Sequence, residues 1–177
     1  MPVATYRLQF NRGFRFTDSR DLVPYLASLG ITDLYASPLL QARQGSTHGY
    51  DVTDPTRLNP ELGTDEEFDL LVAELRRHGM GLLLDIVPNH MAASSDNAWW
   101  ADVLENGVHS VYASFFDVDW SAATQAREER IPLPILGRPY GSVLVNQELL
   151  PGLDEQGLHV RYAGMRLPLE PRSYRAI

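Results

Sequence analysis

The sequence predicts an α/β fold built from repeated strand-helix units, and three observations carry that expectation. A period-two strand opens the chain, two amphipathic stretches each end at a glycine, and an unbroken apolar run follows the second of them. Short returns alternate with longer loops, which is the grammar of right-handed βαβ units in a doubly wound sheet or a barrel.

Ala4 to Phe10 alternates Tyr6, Leu8 and Phe10 with Thr5, Arg7 and Gln9, and Asn11-Arg12-Gly13 breaks the pattern. Thr17 can cap a helix running toward Leu29, with Leu22, Val23, Leu26 and Leu29 as its apolar stripe and Gly30 as its stop. Pro24 removes one internal hydrogen bond, so this helix is either kinked there or begins near it. Ile31 to Ser37 reads as a second strand, and the turn-rich stretch from Pro38 to Gly63 as a long loop after it. Thr64 and Glu67 have capping-box spacing, followed by Phe68, Leu71, Val72 and Leu75 on one helical face and Gly79 at C′. Leu82 to Val87 is an apolar run around Asp85, the pattern of a parallel strand covered on both faces, and Pro88 ends it.

Beyond Pro88 the grammar changes. Residues 1–90 are expected to form the strand-helix part, and residues 91–177 an irregular α+β insertion after strand three. Within the insertion, Asn97 to Leu104 suits a short helix, and Leu158 to Leu167 a hairpin turning at Ala163-Gly164. Prolines from Pro132 to Pro171 punctuate the rest.

The totals narrow the class of ligand. A chain of 177 residues with 44% hydrophobic content can bury a sizeable core. A formal charge of −8 disfavours a phosphate-tracking surface, so no nucleic-acid partner is expected. No apolar run approaches the roughly 20 residues that span a bilayer, and the start lacks the make-up of a secretory signal. The expectation is a cytoplasmic protein with no membrane partner. The absence of cysteine excludes disulfides and thiolate chemistry.

In parallel α/β architectures ligands bind beyond the C-terminal ends of the strands. Three segments converge there: Gln9-Phe10, the loop Ser46-Thr47-His48-Gly49-Tyr50-Asp51, and Asp85 to His90. Asp85 lies among Leu, Ile and Val and must be paired, although no partner is visible nearby in sequence. It either orders a polar site or merely caps a strand end. Asn89 and His90 follow a proline that fixes the chain direction, so both can face a cleft, with a satisfied structural histidine as the plain alternative. His48 and Tyr50 flank Gly49, which allows close backbone approach and leaves the Tyr50 ring able to stack on a sugar. His48, Asp85 and His90 lack the tight spacing of a metal site, so no metal or other cofactor is expected. Trp99, Trp100, Tyr112, Phe115, Phe116 and Trp120 can stack on a glucan, although a small satellite core is the commoner use of such residues. His78 suits a helix C-terminus, while His109 and His159 have no evident chemical context.

Taken together these strings carry a resemblance. Thr5-Tyr6-Arg7-Leu8-Gln9-Phe10, Tyr35-Ala36-Ser37-Pro38, Gly45 to Val52, Asp85 to Met91, Trp99 to Gly107 and Phe115 to Trp120 resemble the maltooligosyl trehalose synthases of the α-amylase family. The likeness covers essentially the whole chain and is strongest up to Trp120. It implies the first three βα units of a TIM (β/α)8 barrel, and a parent enzyme that converts the reducing-end α-1,4 linkage of a maltooligosaccharide into an α,α-1,1 linkage. It also implies that His48, Tyr50 and His90 bind the sugar, with Tyr50 as its stacking platform, and that Asp51, Asp85 and Asn89 support the site. Trp99 and Trp100 are further candidates for sugar stacking. The family places its nucleophile, acid/base and third carboxylate on strands four, five and seven. None of these is expected in this chain, which would then be an inactive piece lacking the C-terminal part of the barrel. Two alternatives remain open: another hydrolase of the α-amylase family or a sucrose isomerase, and a non-catalytic carbohydrate-binding module.

Overall fold

A computed structural model describes residues 1–120 and 131–176. The chain divides into two compact units, Met1–Ala92 and Ala93–Ile177.

In the first unit, strands β1 (Thr5–Leu8), β2 (Asp33–Ala36) and β5 (Gly81–Leu84) form a parallel sheet in the order β1-β2-β5. Helices α1 (Phe16–Ser28) and α2 (Asp65–Arg77) connect them. Leu8, Leu34 and Ala36 on one sheet face pack with Phe16, Val23 and Leu26 of α1 and Leu71 and Leu75 of α2 into a single core. Residues paired across strands share a face. The register Arg7↔Tyr35↔Leu83 therefore sets those three side chains on the opposite face. That second face carries the site.

The Thr64 capping box forms as its spacing predicts: the Thr64 hydroxyl accepts from the Glu67 N–H, and the Glu67 carboxylate accepts from the Thr64 N–H. Gly79, at φ 68°, follows the C-cap His78. His78 itself bonds back to Glu74 at 3.1 Å. Helix α1 departs from expectation in two ways. Its cap is Arg15, whose N–H donates to Asp18 at 2.7 Å, and Thr17 lies inside the helix. Leu29 is exposed rather than part of the buried stripe. Of the two alternatives at Pro24, a start near it is excluded, since the helix contains this solvent-exposed proline.

The stretch expected to be one long loop contains an antiparallel pair, β3 (Leu40–Ala42) with β4 (Val52–Leu58). Two register shifts and Pro55 within β4 hide the alternation that would reveal it in sequence. β5 is shorter than the apolar run and is not covered on both faces. Leu83, Leu84 and Ile86 are 36%, 53% and 63% exposed, because among the described residues β5 pairs with β2 alone and is a sheet edge.

The second unit holds α3 (Ala98–Asn106), α4 (Tyr140–Val145) and an antiparallel sheet of β6 (Leu150–Asp154), β7 (Gly157–Tyr162) and β8 (Met165–Pro168). The Asn97 side chain accepts from the Trp99 and Trp100 N–H groups and starts α3. The hairpin turns at Ala163 and Gly164, both at positive φ, as the sequence predicts. β6 is masked in sequence by Pro151 and Gly152. The proline is tolerated because β6 is an edge strand, and the glycine is required because a Cβ there would meet the His159 ring at 2.7 Å.

Arg166 of β8 donates twice to Asp154 of β6, at 3.0 and 2.8 Å, and pins the two outer strands of this sheet together. That bidentate pair holds the Asp154 carboxyl down at about 2, below its ordinary 3.8. A depressed folded value stabilises above the ordinary carboxylate range and the contribution is lost as pH falls toward 2. Acid titration of the melting temperature between pH 5 and 2 is therefore expected to show a stability loss that Asp154→Asn removes, with the variant less stable at pH 5.

Candidate functional site

Three strand ends and one loop meet on the exposed face of the parallel sheet. Asp85 continues the β2–β5 ladder through its N–H bond to the Ala36 carbonyl at 3.0 Å, which brings its side chain onto the face of Arg7 and Tyr35. Its partners are remote in sequence. The Tyr50 hydroxyl donates to Asp85 Oδ2 at 2.6 Å, and Arg7 Nη2 donates to the same oxygen at 3.4 Å and to Tyr50 Oη at 3.3 Å. Asp85 is thus a largely buried acid, 13% exposed, with a cation and a hydroxyl facing it.

The electrostatics follow from that geometry. Donation from Tyr50, with further help from Arg7, holds the Asp85 carboxyl below its ordinary range against the opposing pull of burial. The same bond to Asp85 holds the Tyr50 hydroxyl above its usual value. At neutral pH the pair is a phenol donating to a carboxylate.

The loop that delivers Tyr50 is shaped by its own polar groups. The Ser46 hydroxyl donates to Asp51 and accepts from the Gly49 N–H. His48 Nδ1 accepts from the Tyr50 N–H at 3.0 Å, and its ring stacks on the Tyr50 ring at 5.9 Å between centroids. A neutral His48 with Nδ1 accepting carries its proton on Nε2, which is then a donor for a ligand hydroxyl. Gly49, at φ 78°, is needed for a reason other than approach to a ligand. A Cβ there would lie 2.9 Å from the Pro38 carbonyl oxygen. Gly49→Ala is accordingly expected to displace the loop and to open its Tyr50 N–H bond to His48. Faster hydrogen exchange at the Tyr50 amide checks it, with retained far-ultraviolet circular dichroism as the control for folding.

Asn89 and His90 lie past the strand end, exposed, and bond to each other, with His90 Nδ1 2.7 Å from Asn89 Oδ1. Donation from Nδ1 to that amide oxygen leaves Nε2 as the outward atom. Asp51 sits behind the loop, bonded to Ser46 and 3.8 Å from His48 Nδ1.

In the second unit, Trp99 lies flat against Tyr112 at 5.2 Å and edge-on to Phe115, and Trp100 packs against Phe116 at 5.1 Å. These rings contact one another, and none of them is buried, Phe115 being 63% exposed. His159, without context in the sequence, is buried between Asp154 and Arg161.

Sequence reasoning missed Arg7 and Tyr35 as members of the site. The Arg7 guanidinium carbon lies 5.5 Å from the centre of the Tyr35 ring. The available signal was the polar half of the first strand, Thr5, Arg7 and Gln9, which must face away from the core that Leu8 and Phe10 enter. Among the described residues no cluster of His, Asp or Glu is placed to hold a metal ion, and no helix is long and apolar enough to cross a membrane.

Residues 20–140 match the family model of the α-amylase catalytic domain. A protein of Mycobacterium tuberculosis assigned the name maltooligosyl trehalose synthase is 43% identical across 97% of this chain. A crystal structure of a maltooligosyl trehalose synthase superposes on 95% of the chain with a TM-score of 0.86 and 40% identity. The intracellular maltogenic amylase of Bacillus subtilis is 34% identical over 62% of the chain, and the matched part is 18% of its own length. The chain spans 22% of the length of both synthases.

Proposed function

The chain belongs to the α-amylase family, and from that premise we propose that it is the N-terminal part of an intramolecular transglycosylase that forms maltooligosyl trehalose. One observation carries the choice within the family: the likeness to synthases runs through 97% of the chain and so includes both units, whereas the likeness to a maltogenic amylase stops at 62%.

The chemistry required is a double displacement with retention. A nucleophilic carboxylate takes the C1 atom of the penultimate glucose while an acid gives its proton to the leaving O4 of the terminal glucose. The terminal glucose then turns within the cleft, and its anomeric O1 attacks the same C1 as its proton passes back to the acid/base. No water is consumed, so the site must hold the released sugar and keep solvent out. The nucleophile and acid/base belong to later strands of the barrel. This chain supplies the first three βα units, and with them the platform. Tyr50 presents its ring to the sugar, and His48 and His90 offer imidazole nitrogens to its hydroxyls. Asp85, Asp51 and Asn89 hold those groups in place. The 177 residues alone are expected to be inactive, because a three-stranded parallel sheet lacks the carboxylates and leaves edges unpaired.

The test is the linkage of the product. Nuclear magnetic resonance of maltopentaose incubated with the full-length protein should show loss of reducing ends and an α,α-1,1 anomeric signal, and none from residues 1–177 alone. Growth of reducing ends would favour a hydrolase, and product from the 177 residues would contradict the fragment's inactivity.

A further inference from the structure

Arg7 sits at the centre of the site and has two separate tasks. Its Nη2 faces the Tyr50 hydroxyl and Asp85, while its Nη1 donates to Gln9 Oε1 at 2.8 Å. Gln9 in turn uses its amide nitrogen on the loop backbone, donating to the Thr47 carbonyl at 3.2 Å and reaching the His48 carbonyl at 3.5 Å. One face of the guanidinium rests over the Tyr35 ring. A planar group with five donors in a fixed fork can satisfy these partners together, and an ammonium on a flexible stem cannot.

We propose that Arg7 and Gln9 are a positioning pair, coupling the first strand to the His48–Tyr50 loop and to Asp85 so that the stacking ring and the carboxylate are set before the sugar arrives. This rests on the sugar-platform reading of Tyr50. Neither residue need touch substrate. Arg7 fixes the Tyr50 hydroxyl and Gln9 fixes the backbone on either side of His48, so the loop is held at two points. Sites held in this way bind without first having to order their groups.

A double-mutant cycle in the full-length protein tests it. Arg7→Met is expected to lower kcat/KM on maltopentaose about 30-fold, and Arg7→Lys to recover little of that loss. In a Tyr50→Phe background, which keeps the ring and removes the hydroxyl, Arg7→Met is expected to cost less than about fivefold, because the shared bond is already gone. Equal factors in the two backgrounds, or a loss below about threefold in the first, would overturn the proposal. If Arg7→Met does not fold, Gln9→Leu carries the same test, with an expected loss of about tenfold that shrinks in Loop variant Gly49→Ala, where the loop is already displaced. The cycle is read a second time as maltopentaose affinity by calorimetry. A protein that binds glucan with this coupling yet forms no trehalose end contradicts the proposed function alone, and one that binds no glucan overturns both.

Discussion

Tyr50→Ala in the full-length protein is expected to lower kcat/KM on maltopentaose about 500-fold. Two losses combine. On the proposed reading the ring face packs on the sugar and contributes on the order of 1 kcal/mol, or about fivefold. The phenol also anchors the loop by its 2.6 Å bond to Asp85, and misplacing a positioned sugar by about 1 Å costs on the order of 100-fold. Tyr50→Phe separates the two, since it keeps the ring and loses only the anchor, and should retain most of the stacking share. Only a modest loss of stability is expected, because Tyr50 lies in a surface loop outside the core of the parallel-sheet unit and Asp85 keeps Arg7 as a partner when the phenol goes. A large fall in melting temperature for Tyr50→Ala would mean that the residue is structural first.

Asp85→Ala is expected to act on both activity and stability. Its removal takes the acceptor from Tyr50 and the counter-charge from Arg7, so about 100-fold in kcat/KM should go with the loosened loop. Stability should fall only modestly, because the Tyr50 phenol is open to water and can bond it in place of the carboxylate. The Arg7 charge adds little to that fall, because its side chain is 38% exposed and water screens it. Asp85→Asn keeps an oxygen for the phenol and should lose less. The sign of the pH effect follows from the lowered Asp85 carboxyl: its contribution is present at neutral pH and is lost as pH falls through that depressed value. Melting curves of the wild type and Asp85→Asn should therefore converge in acid.

How far these features could be read from sequence depended on how local they are. The Thr64–Glu67 box, the Asn97 start of α3 and the Ala163-Gly164 turn involve partners within a few residues, and each forms as its spacing predicts. Asp85 shows the limit. Its need for a partner was evident from the apolar run around it, but Tyr50 and Arg7 lie 35 and 78 residues away and only the parallel register brings them close. The β3–β4 pair and β6 are not foreseen in the sequence because proline, glycine and register shifts erase the period of two. β5 failed differently. An apolar strand signals cover on both faces, and the sheet of the described residues stops at that strand, so Leu84 and Ile86 meet solvent.

If the Tyr50 ring, set by Asp85 and Arg7, is the surface on which a glucan sugar rests, a crystal structure of the full-length protein bound to a maltooligosaccharide will show a glucose ring lying parallel to it in van der Waals contact. His48 and His90 nitrogens will lie within hydrogen-bond distance of its hydroxyls. A glucan bound elsewhere, with the Tyr50 face bare, would contradict it.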